Sequence, residues 1–131
     1  MSQQNDIDTI RNGFAAFSRG DMETLRNEVF APDAVWLVPG TGYYAGPKEG
    51  VEAILQFFAD LFERSGGTLQ VVLDDAVAGD DHTISLSHNL AMRGTMSLDQ
   101  KSVIVYEMLD SRVTRAEQYY DDTAYNDRFW A

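Results

Sequence analysis

The chain has 131 residues, 44% of them hydrophobic, with seven Phe, six Tyr and two Trp, which suffices for one domain with a substantial core and argues against disorder. Twenty-one acids against ten bases give a net charge of −11, a surface that repels phosphate backbones and anionic lipid heads, so neither nucleic acid nor a membrane is the expected partner. The absence of cysteine excludes disulfides, thiolate metal sites and a cysteine nucleophile.

The start, MSQQNDIDTI, is polar and acidic, without the basic region and apolar core of a signal peptide, and no apolar run approaches the ~20 residues of a membrane span. A soluble, cytoplasmic protein is expected. Ile7, Ile10, Phe14 and Phe17 recur at spacings of three and four, one apolar stripe on a helix that Asn5 or Asp6 can cap. Gly20 ends it and Asp21 can cap a second helix carrying Met22, Leu25 and Val29, which Pro32 and Asp33 stop. Ala34 to Val38 is short and rich in β-formers and reads as a strand, followed by a loop at Pro39-Gly40-Thr41-Gly42. Pro47 suits the first position of a third helix, in which Val51, Ile54, Leu55, Phe58, Leu61 and Phe62 form a wide apolar face before Gly66-Gly67.

Four strand candidates follow: Leu69 to Ala78, Thr83 to Arg93, Ser102 to Leu109 and Val113 to Asp121. The breaks between them are Gly79-Asp80-Asp81, the Gly94 to Gln100 region and Asp110-Ser111, short enough to favour an antiparallel meander. Phe129 and Trp130 near the C-terminus are expected to dock rather than hang free. Helices segregated from an antiparallel sheet define an α+β class, here as one domain over residues 1–131.

The segment Ser18-Arg19-Gly20-Asp21, the stretch FAPDAVWLVPG from Phe30 to Gly40, Tyr44-Ala45-Gly46 before a helix, and the ending YYDDTAYNDRFW from Tyr119 to Trp130 resemble, in order and spacing, the SnoaL-like branch of the nuclear transport factor two-like superfamily. That group includes polyketide cyclases and relatives of ketosteroid isomerase. The resemblance implies a cone: a strongly bent, mostly antiparallel sheet wrapped over three N-terminal helices, with a pocket at the open end and a homodimer formed through the outer sheet face. Function does not follow from the fold, because one fold hosts many activities. Ketosteroid isomerases use an Asp base with a Tyr and a protonated Asp as oxyanion hole. The matching positions here are Val38 for the base, Gly13 or Phe14 for the Tyr, and Ile104 for the second Asp, so none of those groups is present. Arg93 could face a site as in the Asp-Arg-Asp relay of limonene epoxide hydrolases, but no Asp lies two residues beyond it.

His88 alternates with Ile84, Leu86, Leu90 and Met92, while Thr83, Ser85, Ser87, Asn89, Ala91 and Arg93 take the other face of their strand. A histidine in an apolar row is either a hydrogen-bonded core residue or a pocket acid/base. The small polar row opposite it could meet a partner sheet or water. Gln118, Tyr120 and Asp122 are turned inward, with Arg115 and Glu117 outward. A desolvated Asp122 would be a better base, unless it and Asp121 cap a C-terminal turn instead. His88 and Asp122 are thus the candidate catalytic residues, either of which could shuttle a proton; a separation of one water would support chemistry, and both pointing at solvent would count against it. Trp36, Tyr43, Tyr44, Tyr106, Gln118 and Tyr120 are the candidate ligand-binding groups, with packing as the alternative for Trp36, Tyr43, Tyr44 and Tyr106. His82 beside Gly79-Asp80-Asp81 reads as a solvated turn residue. Two distant His with no Cys give no metal signature, and neither a phosphate-binding loop nor a nucleophile elbow occurs, so no metal and no cofactor are expected. Two functions stay open: a cofactor-free lyase, isomerase or cyclase that moves a proton on an apolar carbonyl compound, and a non-catalytic module that binds a small apolar organic molecule or assembles through its sheet.

Overall fold

The computed structural model describes residues 2–131 as four helices and a six-stranded mixed sheet, an α+β fold. Helix α1, Ser2–Arg19, buries Ile10, Ala16 and Phe17 and ends where Gly20 takes φ 69°. Asp21 then caps α2, Met22–Thr24, through the Thr24 N–H at 3.1 Å. The Thr24 hydroxyl and N–H, with Arg19, hold the Asp21 carboxyl below the usual carboxylate range. A π turn, Leu25–Val29, leads directly into strand β1, Phe30–Val38.

Pro32 and Asp33 therefore lie inside a strand instead of stopping a helix. The reason is local: the β1–β6 ladder is interrupted between Phe30 and Val35, so Pro32 removes no ladder bond. Pro47 likewise does not open a helix but sits in β2, Gly46–Glu49, an edge strand where a missing N–H is tolerated. Helix α3, Val51–Arg64, starts one residue beyond β2, after Gly50 turns the chain at φ 89°.

Strands β3 (Gln70–Ala78), β4 (Thr83–Arg93), β5 (Met96–Leu109) and β6 (Arg112–Tyr120) form the expected meander. The sheet order is β2-β1-β6-β5-β4-β3, parallel at β1–β6 and antiparallel elsewhere. The break expected over Gly94 to Gln100 shrinks to a two-residue turn, since Arg93 already faces Met96, and β5 gains Gln100 as a strand residue. Asp110 and Ser111 both take positive φ, 51° and 58°, the demand of a tight two-residue hairpin matched to strand twist. Helix α4, Thr123–Trp130, closes the chain, with Phe129 and Trp130 buried.

The sheet bends around α1 and α3, and an aromatic cluster ties the layers together. Phe17 meets Phe58 edge-on at 5.0 Å, and Trp36 meets Phe58 at 5.2 Å. Among the described residues no helix is long and apolar enough to cross a membrane.

Candidate functional site

The position of the core decides which strand faces look inward. β1 presents Ala34, Trp36 and Val38 to the helices, all buried. Pairing then carries that inner face across the sheet through Trp36↔Ala116, Gln118↔Ile104 and Ile104↔Ser85. The inner row of β4 is consequently Thr83, Ser85, Ser87, Asn89 and Ala91, each no more than 7% exposed. The small polar row offered to a partner or to water is in fact the buried one.

Between that row and the helices lies a cavity of about 90 Å³. Phe14, Phe17, Leu25, Phe30, Trp36, Phe58, Leu61, Val71 and Trp130 supply its apolar wall. Ser87, Asn89, Gln100, Tyr106, Gln118 and Tyr120 supply its polar side. These polar groups are partly wired to each other. Trp36 Nε1 donates to Gln118 Oε1 at 3.1 Å, and Gln118 Nε2 donates to Ser102 Oγ at 3.1 Å. Because an indole nitrogen only donates, it fixes the direction of the Gln118 amide. Tyr106 Oη and Ser85 Oγ share a hydrogen bond of 2.9 Å. Gln100 Nε2 donates to Asn126 Oδ1 of α4 at 2.8 Å. Burial pushes the Tyr106 and Tyr120 phenols up, and at Tyr120 the Asp127 carboxylate adds to the shift.

The candidate residues separate cleanly. Trp36, Tyr106, Gln118 and Tyr120 all line the cavity. His88 does not: it stands on the outer face of β4, where Nδ1 pairs with Asp74 at 2.9 Å and the side chain is 34% exposed. Period-two alternation showed which residues share a face with His88 but not which face is inner. Asp122 lies beyond the end of β6, exposed, and its carboxylate accepts from Tyr125 N at 3.0 Å as the N-cap of α4. Neither residue lines the cavity: His88 is held on the outer face by Asp74, and the Asp122 carboxylate is taken up by the α4 cap.

Tyr43 and Tyr44 also lie off the cavity wall. Tyr43 is 64% exposed and stacks under the Arg64 guanidinium at 3.9 Å. Tyr44 is buried against Phe57 at 5.3 Å and Trp130 at 5.8 Å, the packed-loop alternative. Their loop is latched to α4 by Thr41 N, which donates to Asp127 Oδ2 at 3.1 Å. A Cβ at Gly40 or Gly42 would meet that carboxylate at 2.6 and 2.7 Å and push it off the latch, and Gly40 also takes φ 94°, a conformation that favours glycine. The same helix is held to the sheet by Tyr125 Oη, which donates to Ser97 O at 2.6 Å, and by Arg93, which donates to Phe129 O and Ala131 O.

Sequence reasoning missed Ser87, Asn89 and Gln100 as wall residues. The alternating polar row of β4 was visible, but its inward orientation was not. Gln100 fell in a stretch read as a turn.

The chain matches the model of the SnoaL-like domain over residues 10–116. It is 35% identical to an uncharacterized protein of Mycobacterium tuberculosis, with all of both chains covered. It superposes on Bal32a, from a soil-derived mobile gene cassette, with TM-score 0.96, 36% identity and all of both chains covered. An NTF2-like protein from Burkholderia xenovorans has TM-score 0.80 at 22% identity, covering 100% of this chain and 99% of that one.

Proposed function

The chain belongs to the SnoaL-like family, and we propose that its cavity captures one small, neutral, largely apolar organic molecule without turning it over. The chemistry of the wall carries this reading. Among the described residues that line the cavity, the titrating side chains are Tyr106 and Tyr120, and burial keeps both phenols protonated near neutral pH. A protonated phenol donates or accepts a hydrogen bond but takes up no proton, so the wall orients a ligand and offers it no base. The non-catalytic reading is also supported by the placement of His88 and Asp122, which would move a proton on a carbonyl compound in an enzyme: one stands on the outer face and the other caps α4.

At about 90 Å³ the cavity is smaller than the ~150 Å³ that takes a benzene ring in an apolar interior. A single ring fits when the surrounding Phe and Trp side chains shift slightly. Trp36 and Trp130 both line the space and report on it. Titration with toluene is expected to give a saturable change in tryptophan fluorescence and a rise in Tm, with benzoate giving neither. Failure of every neutral single-ring probe to bind would overturn the reading. Protein-dependent conversion of an apolar carbonyl compound, followed by NMR, would replace it with the enzymatic one.

The outer sheet face supports a second proposal, pairing with another copy of the chain. Leu86, Val103 and Tyr119 lie side by side across β4, β5 and β6, and each is at least 36% exposed. Arg115 and Glu117, paired at 3.3 Å, flank them with both signs of charge, which suits a self-complementary two-fold interface. Sedimentation at micromolar concentration is expected to give a dimer that Leu86→Glu dissociates. A monomeric parent chain would end this proposal.

A further inference from the structure

We infer that Asn89 and Gln100 select, among neutral apolar molecules, those that carry hydrogen-bond donors at one end, an aromatic amine best of all. This rests on the reading of the cavity as a capture site. The two residues are direct cross-strand partners on β4 and β5, and both line the cavity. They are 7% and 2% exposed. Asn89 Oδ1 and Gln100 Oε1 are both fully buried and have no hydrogen-bond partner among the described residues. Gln100 has already committed its Nε2 to Asn126 Oδ1, so the oxygen is the end that remains. Elsewhere on this wall polar atoms satisfy one another, as Gln118 does with Trp36 and Ser102. The Asn89 and Gln100 carbonyl oxygens, neighbours across the β4–β5 ladder, are left over as a pair of acceptors.

Acceptors discriminate by what they lack. A carboxylate brings only more acceptors and a charge, and among the described residues the lining holds no Lys, Arg or His to meet it. An alkyl group leaves both oxygens without partners. A hydroxyl satisfies one of them, and an amino group, with two hydrogens on one atom, can satisfy both. The rings of Phe17, Trp36 and Phe58 would take the apolar remainder.

Toluene, phenol and aniline are close in shape, neutral near pH 7, and carry no, one and two donors. Calorimetry on the full chain is expected to rank aniline above phenol above toluene, with aniline about tenfold tighter than toluene, the sum of two ordinary net hydrogen bonds. In Asn89→Leu, nearly isosteric, the aniline-to-toluene ratio is expected to fall several-fold while toluene still binds, and Gln100→Met should act in the same direction. Toluene binding with a ratio that neither substitution changes would overturn the selection by these amides and leave the capture reading standing. Binding of none of the three would remove both. If the substituted chains do not fold, methylation of the ligand decides: N,N-dimethylaniline is expected to bind weaker than aniline, and equal affinity overturns the inference. Tighter binding of benzylammonium than of aniline would also overturn it, by showing a site for cations.

Discussion

The two faces of β4 invert the usual rule of apolar inside and polar outside. Facing in are Thr83, Ser85, Ser87 and Asn89, all buried, while Leu86 and Met92 face out at 42% and 48% exposure. The inner row is polar and short because it borders a hollow, and short side chains leave room that leucines would fill. Its serine hydroxyls survive burial because neighbours on β5 meet them, Tyr106 at Ser85 and the Ser102 carbonyl at Ser87, while the Asn89 oxygen is left without a partner among the described residues. The outer row is apolar without being core. On this strand polarity marks the interior, and hydrophobicity marks the exterior.

Substitutions on each side can break that contrast. The largest effect is expected at the inner wall: Trp36→Ala removes a buried indole at the centre of the aromatic cluster and unpairs Gln118. Chemical denaturation should show a loss of about 3–5 kcal/mol. A smaller effect is expected from Ser85→Ala, which leaves the Tyr106 hydroxyl buried without its partner, costing about 1–3 kcal/mol by the same measurement. An unchanged midpoint there would mean the inner polar row is not wired as described. Asp122→Ala removes the α4 cap and is expected to cost about 1 kcal/mol with no change in the affinity of a bound aromatic. The smallest effect belongs to the outer face. His88→Ala should change stability by no more than ~0.5 kcal/mol and leave ligand binding intact, since its pair with Asp74 is solvent-exposed. A large drop in ligand affinity in that variant would put His88 back at the site.

Where the sequence misled, it did so at residues whose local chemistry depends on a distant partner. Pro32 and Pro47 carry strong helix signals, as terminator and initiator, yet both sit in strands because one falls at a gap in the β1–β6 ladder and the other on an edge. Gln100 was hidden in a stretch with Gly and Asp that reads as a turn, and became a strand residue because β4 paired with it residue for residue. Trp36, Tyr106, Gln118 and Tyr120 were legible as wall residues because large or amphipathic side chains in buried strands have few other places to go.

The sequence by itself determined the class of fold, the order of its main elements, the docking of Phe129 and Trp130, and which residues of each strand act together. Those features are written in periodicity, capping and breakers, which are properties of neighbours along the chain. The tertiary structure alone decided which of the two rows on β4 turned inward, and so whether the cavity holds an imidazole or a pair of amides. Alternation repeats every two residues and is blind to sign, and the choice is made only when the sheet closes over α1 and α3 and one row must meet Phe17 and Phe58.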